Sequence, residues 1–348
     1  METILVTGAS GEVGLALIDN LLANSDCKIV AMDLRQQSLT QIPQIDRQSR
    51  LDFVQASITD RDVCRQLFEQ YNFDSVFHLA GILSSGGEKD PEVTHNVNVQ
   101  GSVNLLECSQ LSSARQDKSV KFIFPSTIAV YGIDSLEEKE RAYRIAEDQF
   151  NRSLTMYGIN KLYIEQLGRY YSENYKLLED NSERVKIDFR SVRYPGLISA
   201  DTLPTGGTSD YAAEMVHAAV TGKNYSCFVR EDSTLPFMTM PDAIRALLEI
   251  AQAPKEQLSR MVYNVGAFSV SAEQIYELLK SNFPKFEVEY SINRPRQKIV
   301  DSWPKDVDDT AARQDWSWQE RHNFEQAFYD YLIPKLELNS SSPKNIQT

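Results

Sequence analysis

The stretch "TILVTGASGEVGLALIDNLLANSDCKIVAMD", residues 3–33, decides the fold. It opens with a short apolar run and turns through a glycine-rich segment. It then carries Val13, Leu17, Ile18, Leu21 and Leu22 at helical spacing. A second apolar run, "KIVAMD" (28–33), follows. Strand, turn, helix and strand in this order form a βαβ unit, whose crossover lays two parallel strands side by side. Three glycines, Gly8, Gly11 and Gly14, occupy the turn between strand and helix. A glycine pattern alone is weak; its place after a strand and before a helix is what makes it informative.

Such a turn suits a pyrophosphate. Gly8 allows the tight turn, Gly11 lets backbone approach the phosphates, and Gly14 lets helix and strand pack closely, while Ser10, Glu12 and Val13 complete the cradle. The helix N-terminus adds amide hydrogens and a positive dipole end. Asp33 ends the second strand, where a carboxylate accepts hydrogen bonds from ribose hydroxyls and repels a 2′-phosphate. That favours NAD over NADP. Leu34 and Arg35 follow, and the guanidinium argues the other way, since it could accept the phosphate. Asp33 weighs more because the strand end points at the ribose. Ser57 and Ile58, past the third strand, would border the adenine.

The alternation continues. "LDFVQA" (51–56), "SVFHLA" (75–80), "KFIFPS" (121–126) and "KIDFRSVRYP" (186–195) read as strands, with helices near 60–71, 91–113 and 154–175. The strands are continuous apolar runs, as expected of a parallel sheet covered on both faces. The expected fold is α/β: a doubly wound parallel (Rossmann) sheet with a smaller C-terminal α/β substrate-binding lobe. We place the dinucleotide domain at 1–195, the lobe mainly at 196–336 and a polar tail at 337–348. "GLISADTLPTGGTSDY" (196–211) reads as a loop. "DSLEEKERAYRIAEDQFNR" (134–152) reads as a charged, solvated insertion.

The 348 residues suffice for such a core, and the net charge of −13 argues against a nucleic-acid partner. Cys27, Cys64, Cys108 and Cys227 form no CxxC and are expected as buried thiols. The four histidines show no zinc spacing, so no metal is expected. No apolar run reaches the length of a membrane span and no leader pattern precedes the first strand, so a soluble cytoplasmic protein is expected.

"TMYGINKLYIEQL" (155–167) puts Tyr157 and Lys161 four apart on one helix face. A free tyrosine, with a pKa of about 10, is a poor base at neutral pH. A neighbouring ammonium lowers that value, so Tyr157 is expected to act as a general base with Lys161 as its electrostatic partner. Ser126 and Thr127, at the end of the fifth strand, face the same crevice and could orient an alcohol.

Phosphate cradle, ribose acid, strand-end hydroxyls and a YxxxK pair, in that order, resemble the extended short-chain dehydrogenase/reductase family, which includes sugar-nucleotide epimerases and dehydratases. "FHLAG" (77–81), "NVNVQGSVNLLE" (96–107) and "RYPGLIS" (193–199) extend the likeness. It implies a cofactor wall of Leu79, Ala80 and Gly81, an Asn98 supporting the sheet and a catalytic water chain, and Tyr194 and Ile198 near the nicotinamide. A closer likeness is to the short-chain type of L-threonine 3-dehydrogenases. It is carried by "AGILSSGGEKDP" (80–91), "FPSTIAVYG" (124–132), "LPTGGTSDYAAEMVHAA" (203–219), "LPFMTMPDAI" (235–244) and "KIVDSWPKDVDDTAARQDWSW" (298–318). That resemblance implies NAD-dependent oxidation of the threonine C3 hydroxyl to 2-amino-3-oxobutanoate. It also implies catalysis by Tyr157, Lys161 and Thr127 with Ser126 adjacent, amino-acid contacts from Ser84 and Thr208, close approach at Gly207, and a homodimer through the 91–113 and 154–175 helices. The chain departs from the family in a long 134–152 segment, an expanded 173–189 segment, and Tyr131 where phenylalanine is typical. The alternative is a sugar-nucleotide epimerase or dehydratase on the same scaffold.

Overall fold

The computed structural model describes residues 1–35, 50–179, 185–202 and 207–341. The start of the 203–219 stretch, part of the 173–189 expansion and the end of the tail lie outside them.

Seven parallel strands form the central sheet: β1 (Thr3–Thr7), β2 (Lys28–Asp33), β3 (Leu51–Gln55), β4 (Ser75–His78), β5 (Lys121–Thr127), β6 (Asp188–Tyr194) and, further on, Val262–Asn264. Their order is β3-β2-β1-β4-β5-β6, with Val262–Asn264 outermost beside β6. The order reverses between β1 and β4, and the crevice beyond the carboxyl ends there is the ligand position of a doubly wound sheet. Helix α1 (Glu12–Asn24) buries Leu17, Ile18, Leu21 and Leu22 on one face of the sheet. On the other face α2 (Arg61–Gln70), α3 (Gly101–Gln116) and α4 (Met156–Arg169) cover a core containing Leu5, Val76, Phe122 and Ile164. The helix expected over 91–113 is interrupted by a π-helical turn, Asn96–Gln100, before α3 begins. Such turns disturb the regular period and mark functional positions.

The second lobe is built on a sheet of β7 (Gly196–Ile198), β8 (Thr234–Thr239) and β9 (Phe268–Ser271), in the order β9-β8-β7. Its core gathers Tyr211, Phe237, Trp303 and Phe328. The chain order of the two lobes is interleaved: Val262–Asn264 returns to the main sheet, and helix α5 (Met240–Gln252) packs against α1 and β6. The final helix, Ile333–Ser341, runs past the expected start of the tail, and Leu336 is buried.

The 134–152 segment is not simply solvated. Lys139 is buried and its ammonium donates to the Val300 carbonyl at 3.0 Å. Ile145 is buried in a short parallel pairing with Val307. The buried Glu147 accepts from the Asn264 amide at 2.9 Å. Long charged side chains can bury their stems and hydrogen-bond their heads, which hides a packed segment behind a polar composition. All four cysteines are free and buried, as expected.

Candidate active site

The turn after β1 is built for close backbone approach. Gly8 adopts φ +67°, and a Cβ there would stand 2.6 Å from the Ala80 amide, so β1 and β4 could not keep their spacing with any other residue. Gly11 is the N-cap of α1, with no side chain capping the helix. The first-turn amides therefore lack a side-chain partner at an end that carries partial positive charge. Asp33 accepts from the Ser10 amide at 3.0 Å and the Arg35 amide at 3.2 Å, which holds its carboxylate beside this turn. Leu34 is exposed. These residues fit a dinucleotide: donors for a pyrophosphate and an acceptor for ribose hydroxyls. Ser57 pairs with Thr59 at 2.7 Å, and Ile58 is buried beneath Gly101 of α3.

One cavity of about 300 Å³ is lined by Gly8, Gly11, Glu12, Val13 and Gly14 and also by Thr127, Tyr157 and Lys161. Leu79, Gly81 and Tyr194 share its wall. Ser84 and Thr208, 124 residues apart in sequence, both line it with their hydroxyls 3.1 Å from each other. Gly207 lines it too, its amide donating to Asp210 Oδ2 at 2.6 Å.

Helix α4 starts at Thr155, whose side chain accepts from the Gly158 amide at 3.1 Å. Gly158 itself admits the turn that follows β5: a Cβ there would stand 1.9 Å from the Ala129 carbonyl. This close packing brings Tyr157 beside Thr127, whose hydroxyl favours the phenolate. One turn on, the Lys161 ammonium stands 5.7 Å from the Tyr157 ring centroid, 4.2 Å from that of Phe124, and donates to the Pro125 carbonyl at 2.7 Å.

The expected acidic phenol is not what the protein alone provides. Tyr157 keeps a partly accessible face, yet the dense protein around it pushes its phenol up to about 12, with the Thr127 hydrogen bond opposing. Burial likewise pulls Lys161 down to about 7, opposed by the nearby Glu165 carboxylate. Desolvation disfavours both charged forms more than either group supports the other.

Three expected site residues make contacts that spacing alone does not encode. Ser126 lines the cavity, yet its hydroxyl is engaged by Glu165 Oε1 at 2.5 Å, and Thr127 is the hydroxyl beside Tyr157. Glu165 in turn holds the buried Arg193 through two bonds of 2.9 and 2.6 Å. Ile198 packs into the second core, while its neighbour Leu197 lines the cavity, because successive side chains of a strand face opposite ways. Asn98 spends both side-chain atoms on Ile82, accepting from its amide at 2.8 Å and donating to its carbonyl at 3.0 Å. It thereby fixes the 79–84 loop that carries Ser84.

Residues 4–266 match the NAD dependent epimerase/dehydratase family. The chain belongs to that family. Members of this family share the doubly wound sheet described above, and the chain is an NAD-dependent enzyme. The mitochondrial L-threonine 3-dehydrogenase of Bos taurus is 32% identical over 325 residues, which span 93% of this chain and 79% of the bovine one. The L-threonine dehydrogenase of Clostridium difficile is 30% identical, with a TM-score of 0.84 over 98% of this chain and 99% of its own. A monomeric L-threonine 3-dehydrogenase from a metagenome, in apo form, is 33% identical, with a TM-score of 0.81 over 97% of this chain and 99% of its own.

Within this family's cavity the sequence reading missed Trp303, which is buried and lines the wall. The signal was present in "DSWP", since a tryptophan followed by proline in a polar stretch needs a packing reason. Asp210 and Leu83 also line the cavity, from the two stretches 203–219 and 80–91 that carry the family likeness. Among the described residues no helix is long and apolar enough to cross a membrane, and no cluster of three or more His, Cys, Asp or Glu is placed to hold a metal.

Proposed function

We propose that the protein oxidises the C3 hydroxyl of L-threonine to 2-amino-3-oxobutanoate with NAD. The observation that carries the reading is a single cavity lined by the glycine cradle, by Thr127, Tyr157 and Lys161, and by the Ser84–Thr208 hydroxyl pair. A bound nicotinamide would supply the hydride acceptor for C3. Tyr157, ionised before the transfer, takes the hydroxyl proton as the carbonyl forms, and Thr127 orients the alcohol. Lys161, protonated, stabilises that phenolate. The Ser84 and Thr208 hydroxyls suit the amino-acid carboxylate, and the Asp210 carboxylate suits its ammonium. Trp303 and Leu83 keep water from the reacting carbon. Among the described residues no arginine lines this cavity, which suits a small zwitterion better than a diphosphate.

Asp33 supports NAD over NADP, with 1–195 serving the dinucleotide and 196–336 mainly the substrate. A homodimer through the 91–113 and 154–175 helices is supported by the exposed Val93, Leu111, Ile159 and Tyr163. Four buried free thiols support a reducing, cytoplasmic location.

The alternative, a sugar-nucleotide epimerase or dehydratase, is favoured by one feature: a neighbouring cavity of about 550 Å³ lined by Arg230, Arg294 and Lys298. Arg230, however, is held by Asp301 at 2.9 Å and Asp232 at 3.0 Å. The test is reduced-nicotinamide absorbance with NAD or NADP against L-threonine and other β-hydroxy amino acids, with chromatography of the products for UDP-sugars, whose epimerisation or dehydration leaves no net reduced nicotinamide. NAD reduction fastest with L-threonine is expected. Turnover of a UDP-sugar with none of L-threonine would overturn the reading.

A further inference from the structure

Glu12 sits in an awkward place for a carboxylate. It is the first residue of α1 and lines the cavity beside Gly8, Gly11 and Gly14, where the helix end and the uncapped amides would receive a pyrophosphate. Its Oε1 accepts a hydrogen bond from the Thr202 hydroxyl, across 190 residues of sequence. The Thr202 segment is held from its far side as well. Ala200 donates its amide to the Tyr331 hydroxyl at 3.2 Å, and Asp201 pairs with Lys335 at 2.7 Å. Glu12 is therefore the Rossmann-side anchor of a strap that runs from the cofactor cradle to the C-terminal helices.

The charges around it are mostly negative. Asp201, whose charge is offset by Lys335, and Asp210 both act on Glu12, and from the helix Tyr211–Val220 comes His217, which burial keeps neutral. Glu12 keeps an exposed face, and the protein on its other side raises its pKa above 4.5, opposed by the Thr202 and Ser199 hydroxyls and assisted by Asp210 and Asp201.

We propose that Glu12 is a positioning residue whose carboxylate competes with the dinucleotide pyrophosphate for the N-terminus of α1, so that cofactor binding takes up a proton at Glu12 or frees it from Thr202. The proposal rests on the dinucleotide reading of this cavity and is independent of the substrate. The sign follows from repulsion. A nearby pyrophosphate raises the Glu12 pKa further, so the protonated protein binds more tightly. The dissociation constant is lowest at acid pH and climbs to a plateau as pH rises through the Glu12 transition.

The test is NADH binding to the full chain by calorimetry, from acid to alkaline pH and in two buffers of different ionisation enthalpy, for wild type, Glu12→Gln, Glu12→Ala and Thr202→Val. Wild type should bind NADH more weakly as pH rises and take up a fraction of a proton. Glu12→Gln should bind about five- to tenfold more tightly at alkaline pH, the worth of one unit charge several ångströms away in a partly aqueous site, and should lose the pH slope and the proton uptake. Glu12→Ala should lose them too. Thr202→Val, which removes a donor to the carboxylate, should shift the slope to higher pH. A wild-type slope retained in both Glu12 variants, or Glu12→Gln binding more weakly at every pH, would overturn the proposal. No NADH binding by any of these proteins at any pH would instead overturn the dinucleotide reading itself.

Discussion

Two pairings of ionisable side chains lie one turn apart along α4, and burial treats them in opposite ways. Glu165 and Arg193 meet through two parallel hydrogen bonds, with Ser126 donating a third, and the Arg193 guanidinium also lies 4.9 Å from the Tyr131 ring. Glu165 holds Arg193 firmly charged, its pKa above the usual arginine range despite desolvation. Lys161 and Tyr157 have no such compensation. The ammonium has a backbone carbonyl and two ring faces, and burial drags it down to about 7 while raising the phenol to about 12. The first pair is a fastener. In the second, the ammonium is held near a change of protonation while the phenol stays neutral until a further positive charge arrives.

Replacing one member of each pair separates the roles. Tyr157→Phe should lower kcat by about 10²- to 10⁴-fold, the range of a general base, with melting temperature and NADH affinity nearly unchanged. Steady-state kinetics beside calorimetry would show it; an inactive variant that also failed to bind NADH would mark Tyr157 as structural. Glu165→Gln should do the reverse in stability, costing about 3–5 kcal/mol because Arg193 is left buried without its charge partner. Urea unfolding reads this directly, and an unchanged midpoint would mean the fastener contributes nothing.

Lys161 gives a pH signature. Its folded pKa of about 7 lies below the ordinary 10.5, so the unfolded chain holds more protons between those values. Stability should therefore rise with pH from about 7 to about 10.5, and Lys161→Met should remove that part of the slope. A slope that survives in the variant would belong to other groups. Smaller still, Asp33→Ala should narrow the preference for NAD over NADP, by about tenfold if the carboxylate repels the 2′-phosphate as expected. Equal use of both cofactors by the wild type would remove that role. The mildest effect belongs to Ser126→Ala: about 1–3 kcal/mol of stability for a lost charge-assisted hydrogen bond, with turnover largely kept.

The local parts of this design were legible in sequence. The β1–α1–β2 unit, the glycine turn, Asp33 and the Tyr157/Lys161 spacing each lie within one or two consecutive elements, where periodicity and turn chemistry decide the outcome. What escaped was decided by distance and direction. Ser126 and Thr127 are adjacent, yet strand alternation sends one to Glu165 and the other to Tyr157. Ile198 and Leu197 divide between core and cavity by the same rule. The Ser84–Thr208 contact needs the packing of both lobes, and Trp303 reaches the cavity from near the C-terminus. Lys139 and Glu147 looked solvated because their charge concealed burial. The desolvation that opposes ionisation of the Tyr157 phenol comes from tertiary packing, which spacing does not encode.

The account turns on the Tyr157 phenol, held near pKa 12 by the protein alone, becoming easier to ionise beside the positive nicotinamide. The direct measurement is the tyrosinate absorbance titration of wild type minus Tyr157→Phe, without and with saturating NAD. The prediction is one difference transition that moves down by about one to three pH units when NAD is bound, the effect of a nearby positive charge. A transition that stays in place with NAD bound would contradict it.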